Sequence, residues 1–322
     1  MSKLIEHLKQ MIIKSNKKPR IVYAEGDNAY IQEAVKIVSK EIEPILVFKT
    51  KQSIPNNFPF KTIAIDSIDL NKYASLLYEL RKQKGMTIEQ ARELVKQPNY
   101  LCPLLVKSNE VDGEICGIDY TTKDTLKSAI QILKTAPGAK LVSSVFIMEK
   151  ENEQVIFSDC AININPTAED LANMAVMACQ FAKGILGVNK PRCALLSYST
   201  CGSGVGDSVT KVQQAMAQIT KSDQYEIFGE MQFDAAYDDR VRAKKAKACP
   251  WKEKPNIFMF PNIDAGNIGC KIAQRMGHYD AFGPVLIGLA APVNDLSRGA
   301  TVEDVIGTSY ITAAQIVASW RK

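Results

Sequence analysis

Short apolar runs of strand character alternate with amphipathic stretches from one end of the chain to the other. This alternation restricts the fold more than any other feature. The runs are RIVYA (20–24), PILVF (44–48), TIAI (62–65), LVSSVFIM (141–148), QVIF (154–157), RCALLSY (192–198), NIFMF (256–260) and PVLIGL (284–289). Several are apolar on both faces, as parallel strands covered on both sides must be. Residues 30–40, 70–82, 124–134, 169–184 and 209–219 carry helical periodicity between them. Helix starts are marked by Thr87 with Gln90 and by Thr167 with Asp170, which fit capping boxes or close variants. The pattern predicts an α/β protein of doubly wound parallel sheets. With 322 residues, 46% of them hydrophobic, the chain can bury the cores of two domains. The Pro- and Gly-containing segment 135–140 is a candidate hinge between two α/β halves. Ligands in such folds bind at the carboxyl ends of strands and, in two-domain versions, in the cleft.

Charge and cysteine usage narrow the function classes. A formal net charge of +5, from 40 basic and 35 acidic residues, suits anionic small ligands better than a nucleic-acid groove. The densest basic run, RVRAKKAKACPWKEK (240–254), lacks interleaved aromatics and reads as a solvated face. Eight scattered cysteines include no CxxC pair, and only His7 and His278 stand beside them, so no metal site is expected. The cysteines read as reduced thiols in a cytoplasmic protein, used mainly as small core residues. No signal peptide is expected from residues 4–13, and no segment has the apolar length of a membrane span.

Three segments can carry chemistry. In PVNDLSRG (292–299), Ser297 and Arg298 precede Thr301-Val-Glu-Asp304, itself a capping pattern ahead of an apolar helix. Asp304 is therefore either a helix-capping acid or a functional one. SYSTCGSGVGDSV (197–209) follows a strand and enters a helix, so its amides and hydroxyls could hold an anion. Its glycines miss both the GxGxxG and the P-loop spacing, and a turn is the competing reading. FPNIDAGNIGCKIAQRMG (260–277) also runs from strand to helix, with Gly266 and Gly269 permitting close backbone approach and Asp264 either a cap or a ligand contact.

Taken together with GEMQFDAA (229–236) and GPVLIGLAAPVNDLSRGATVEDV (283–305), these segments closely resemble the phosphate acetyltransferase family. YELRKQKGMTIEQA (78–91), TLKSAIQILKTAPG (125–138) and FSDCAINI (157–164) fall in the matching order, so the resemblance covers nearly the whole chain. It implies two α/β domains with a cleft between them, as in isocitrate and isopropylmalate dehydrogenases. One domain would combine residues 1–138 with 287–322, and the other would span 139–286. It implies a homodimer of acetate metabolism that interconverts acetyl-CoA and phosphate with acetyl phosphate and CoA by direct transfer in a ternary complex. No tightly bound cofactor, nucleic acid or membrane is expected, and CoA is a substrate. The family's catalytic serine, arginine and aspartate fall on Ser297, Arg298 and Asp304. Contacts to CoA and phosphate are expected at Arg81, Lys127, Ser199, Thr200, Gly202, Ser203 and Asn267. Departures from the family pattern are Lys127 for an arginine, Tyr120 for the histidine of GxxHST (here GIDYTT, 117–122), and Cys201 for a lysine. A propionyl- or butyryl-transferring enzyme and a weakly catalytic CoA-binding member are the alternatives; a dehydrogenase would need a carboxylate cluster and a nicotinamide site, neither of which is identifiable.

Overall fold

The structure is a computed structural model that describes residues 2–320. Its strands are β1 Arg20–Tyr23, β2 Glu43–Phe48, β3 Lys61–Ala64, β4 Gly113–Cys116, β5 Ser143–Lys150, β6 Glu153–Ser158, β7 Arg192–Leu196, β8 Glu226–Met231, β9 Ile257–Met259, β10 Asp280–Ile287 and β11 Val293–Asp295. The chain divides into two compact units, residues 1–137 with 289–322, and residues 138–288. The passage from the first to the second lies between Pro137 and Gly138.

The first unit holds a five-stranded sheet in the order β11-β4-β1-β2-β3, with every pairing parallel. Alternate residues of each strand point to opposite faces, and both faces are covered. Val22, Ala24, Ile45 and Val47 share a core with Tyr73, Leu77, Leu101, Leu105 and Ile132. From the other residues of the same strands, the Tyr23 hydroxyl donates to Ser309 Oγ at 2.8 Å, fastening the sheet to the helix Val302–Trp320. Strand order reverses between β1 and β4. The crevice outside their carboxyl ends is where an open α/β sheet has room for a ligand.

The second unit holds a six-stranded sheet in the order β10-β5-β6-β9-β7-β8. Strands β6, β9, β7 and β8 are parallel, whereas β5 runs antiparallel to both β6 and β10. The parallel half bears out the α/β reading. The antiparallel half arises because the link from β5 to β6 is only Glu151 and Asn152, too short for a crossover helix, and Glu151 takes φ 54° in the turn. Its core combines Phe157, Phe258 and Phe260 with Trp251 and the buried Cys160 and Cys270.

The predicted capping boxes at Thr87 with Gln90 and Thr167 with Asp170 are both present. Strands β4, β8 and β11 had no counterpart among the apolar runs. They contain Glu114, Glu226, Glu230, Asn294 and Asp295, and ladder bonds to distant strands hold them. Among the described residues, no helix is long and apolar enough to cross a membrane.

Candidate active site

The segment after β11 carries Ser297 and Arg298, both exposed. The Ala300 amide donates to the Ser297 carbonyl at 2.9 Å, closing a turn, and the Gly299 amide lies 3.4 Å from Ser297 Oγ. The helix Val302–Trp320 begins two residues later. Here the capping reading of Asp304 is realised: its Oδ2 accepts from the Thr301 amide at 2.9 Å and the Thr301 hydroxyl at 3.1 Å, and its own amide donates to Thr301 Oγ1 at 3.2 Å. All of these carboxylate contacts fall on Oδ2, and the residue is exposed. Capping therefore leaves Oδ1 available to a substrate, and the two readings of Asp304 are compatible.

Beneath this turn lie two acids to which the sequence reading gave no role. Asp295, the last residue of β11, is 3% exposed; its Oδ2 accepts from Thr122 Oγ1 at 2.5 Å, and its Oδ1 has no partner. Burial raises its pKa to about 6, against the lowering effect of the Thr122 hydroxyl. Glu25 follows β1 and is 6% exposed; Oε1 accepts from the Gly117 amide at 2.8 Å and the Asp119 amide at 3.4 Å, while Oε2 is unpartnered. Burial raises Glu25 to about 7, although those amides pull it down. A small cavity of about 150 Å³ adjoins it, lined by Asp27, Lys49, Pro98, Asp119 and Tyr120 as well as Glu25 itself. An acid directly after an apolar strand run was the one signal that could have singled out Glu25.

Arg81 ends the helix Asn71–Arg81, and its Nε is buried without a partner. A buried guanidinium nitrogen left unsatisfied is costly unless an anion completes it. Lys127 is exposed on the helix Thr122–Leu133. Tyr120, in the family's histidine position, packs against the apolar core of the first unit, and burial pushes its phenol up.

The remaining predicted contacts belong to the second unit. The loop after β7 wraps around Glu230, whose Oε1 accepts from Ser199 Oγ at 2.8 Å and the Gly202 amide at 2.7 Å. Burial pushes Glu230 up, but these donors outweigh it and hold the carboxyl below its usual range. Thr200 is buried; its amide donates to Ser203 Oγ at 2.9 Å, and its Oγ1 accepts from the Gln232 amide at 2.9 Å. The Ser199 hydroxyl thus binds Glu230, and the Ser203 and Thr200 hydroxyls build the loop by accepting from backbone amides. Asn267 stands exposed on the helix Ile263–Arg275 and donates through Nδ2 to the Cys160 carbonyl at 3.1 Å. Cys201 is exposed with φ 50°, and burial and the Glu230 charge push its thiol up, away from an activated nucleophile. Among the described residues, no group of three or more His, Cys, Asp or Glu side chains could hold a metal ion.

The family described as Phosphate acetyl/butaryl transferase matches residues 3–313 of this chain. A curated phosphate acetyltransferase of Mycoplasma genitalium is 45% identical over 321 residues, covering 98% of this chain and 99% of its own. A phosphotransacetylase structure from Streptococcus pyogenes superposes with a TM-score of 0.90 at 37% identity, over 98% of this chain and 99% of that one. A branched-chain phosphotransacylase from Enterococcus faecalis, at 22% identity and TM-score 0.72, shares the fold over 92% of this chain and 99% of its own.

Proposed function

The chain belongs to the Phosphate acetyl/butaryl transferase family, and on that premise we propose that it transfers an acetyl group reversibly between CoA and inorganic phosphate. The observation that carries the reading is the succession of Ser297 and Arg298 on the turn after β11 and Asp304 in the capped first turn of the next helix, at the carboxyl end of a parallel sheet. In the direction of acetyl-CoA, Asp304 Oδ1 accepts the CoA thiol proton. The thiolate attacks the carbonyl carbon of acetyl phosphate, forming the C–S bond, and the tetrahedral adduct expels phosphate with the C–O bonding pair. Ser297 Oγ donates to the developing oxyanion, and Arg298 neutralises charge on carbonyl and phosphate oxygens. Proton transfer from a thiol near 8.5 to a carboxylate near 3.9 is uphill by roughly 6 kcal/mol in water. Arg298 reduces that gap by favouring the thiolate. CoA is a substrate here, and no resident cofactor is required.

The unsatisfied Nε of Arg81 supports a phosphate or CoA contact there. Lys127 supplies charge without the bidentate fork of an arginine. Ser199, Thr200, Gly202, Ser203 and Asn267 serve in this reading by shaping the backbone that meets CoA, since most of their polar atoms already have partners. Homodimerisation is supported by an apolar stripe on the helix Ile263–Arg275, where Ile268 is 59% exposed and Ile272 52%, continued by Met276 at 77%. It borders an aromatic groove of about 450 Å³ that includes Phe157, Phe233, Tyr237 and Phe260. All eight cysteines are free thiols, which supports a reducing, cytoplasmic location.

The test is phosphate-dependent release of CoA thiol from acetyl-CoA by the purified protein, run beside propionyl- and butyryl-CoA. Fastest release from acetyl-CoA, and none without phosphate, is the expected outcome. Faster release from a longer acyl-CoA would reassign the acyl group. CoA binding with no release from any of the three would overturn the catalytic reading in favour of a CoA-binding member of the family.

A further inference from the structure

We propose that Thr122, Asp295 and Gly117 form an anchor that sets the position of Ser297, making Thr122 and Asp295 positioning residues for acyl transfer. The inference rests on the reading of Ser297 as an acyl-transfer residue. It also gives GIDYTT (117–122) a role that needs no substrate contact.

Each of the three residues before Ser297 is fastened in a different direction. Asn294 is buried and donates through Nδ2 to Thr312 Oγ1 at 2.8 Å and Gln315 Oε1 at 2.7 Å, both on the helix Val302–Trp320. Asp295 faces the other side of the sheet, as strand alternation requires, and meets Thr122 in the first turn of the helix Thr122–Leu133. The Leu296 amide donates to the Cys116 carbonyl at 2.7 Å. Ser297 follows immediately, so its backbone leaves a strand end held on both faces and along one edge.

Gly117 makes this junction possible. A Cβ there would lie 2.2 Å from Asp295 Oδ1 and 2.7 Å from the Leu296 carbonyl oxygen, closer than real side chains approach, and its φ of 114° favours glycine on its own account. From the opposite side, Glu25 Oε1 fixes the Gly117 amide. A buried carboxylate with one oxygen unpartnered costs more than an apolar residue of the same shape. The carboxyl is kept where it meets the Thr122 hydroxyl at the start of a helix, a bond that partly offsets the burial disfavouring the anion. That pattern fixes a register more tightly than apolar packing would.

The anchor works with Asp295 ionised. The other titratable groups at the junction are Glu25, Glu114 and Cys116 on or after the strands, and Asp119 and Tyr120 on the loop. Because the Thr122 hydroxyl opposes the burial that raises Asp295 to about 6, its removal shifts the acid limb of turnover upward.

The experiment compares Thr122→Val, Thr122→Ser and Asp295→Asn with wild type, reading kcat and KM for acetyl-CoA against pH together with hydrogen exchange of the amides of residues 296–299. Thr122→Val is expected to lower kcat roughly 10- to 100-fold, as a displacement of about 1 Å does, with KM changed by less than about threefold. Its acid limb moves up and the 296–299 amides exchange faster. Thr122→Ser restores the kcat, the limb and the protection, while Asp295→Asn removes the limb that moves in Thr122→Val. The proposal is overturned if Thr122→Val keeps wild-type kcat and amide protection, or if Thr122→Ser is as impaired as Thr122→Val. Should wild type itself release no CoA, the functional reading fails, and amide exchange alone still decides the anchor.

Discussion

Replacing Asp304 by asparagine separates the two roles that its geometry allows. Oδ2 of Asp304 holds the Thr301 amide and hydroxyl, so the substitution weakens a capping box and removes a charge from the first turn of the helix Val302–Trp320. Losses of this kind cost about 1 kcal/mol of stability. Against the roughly 5–15 kcal/mol that holds a native protein together, the chain stays overwhelmingly folded. A lost general base lowers turnover about 10²- to 10⁴-fold, equivalent to roughly 2.7–5.4 kcal/mol of barrier. The two magnitudes do not overlap. Thr301→Val supplies the control, because it removes the Thr301 hydroxyl from the same box and leaves the carboxylate in place. Both variants should lose about 1 kcal/mol in urea unfolding, but only Asp304→Asn should lose turnover by two orders of magnitude or more in the CoA-release assay; Thr301→Val should stay within about threefold of wild type. Asp304→Asn with turnover within threefold of wild type would reduce the residue to a cap. Equal loss in both variants would show that the carboxylate acts by ordering the turn that carries Ser297 and Arg298.

Glu25 has its folded pKa raised from 4.5 to about 7 by burial, so the folded chain holds a proton that the unfolded chain releases between those values. Its contribution is present in full below pH 4.5 and is lost as pH rises through 7, a change on the order of 3 kcal/mol at most. Asp295, raised from 3.8 to about 6, acts in the same sense. Thermal melts at pH 5 and pH 8 should show wild type losing stability with rising pH, and Glu25→Gln should flatten that slope; an unchanged slope in the variant would place the titration elsewhere. For the apolar helix face, sedimentation of wild type at twice the 35.6 kDa chain mass and of Ile272→Asp at the single-chain mass is expected. A monomeric wild type would contradict the dimer.

The local signals of this chain were legible in its sequence because they depend on neighbours a few residues apart. Apolar runs such as PILVF and NIFMF became β2 and β9, and Thr87, Thr167 and Thr301 each cap the helix that follows. The ordered motifs carried the family, and with it Ser297, Arg298 and Asp304 as candidates. Periodicity could not show that β5 pairs antiparallel with two neighbours, since a strand's pattern does not encode its partner's direction. Nor could it find β4 and β11, whose polar residues break the apolar pattern and which are held in the sheet by pairing with distant strands. Glu25 meets Gly117 across 92 positions of sequence, and Thr122 meets Asp295 across 173. The sequence by itself determined the alternation of strands and helices and the residues able to do chemistry. Only the tertiary structure decided which of the acids are buried and shifted towards neutrality, because desolvation and hydrogen bonding at Glu25 and Asp295 come from residues brought together by folding.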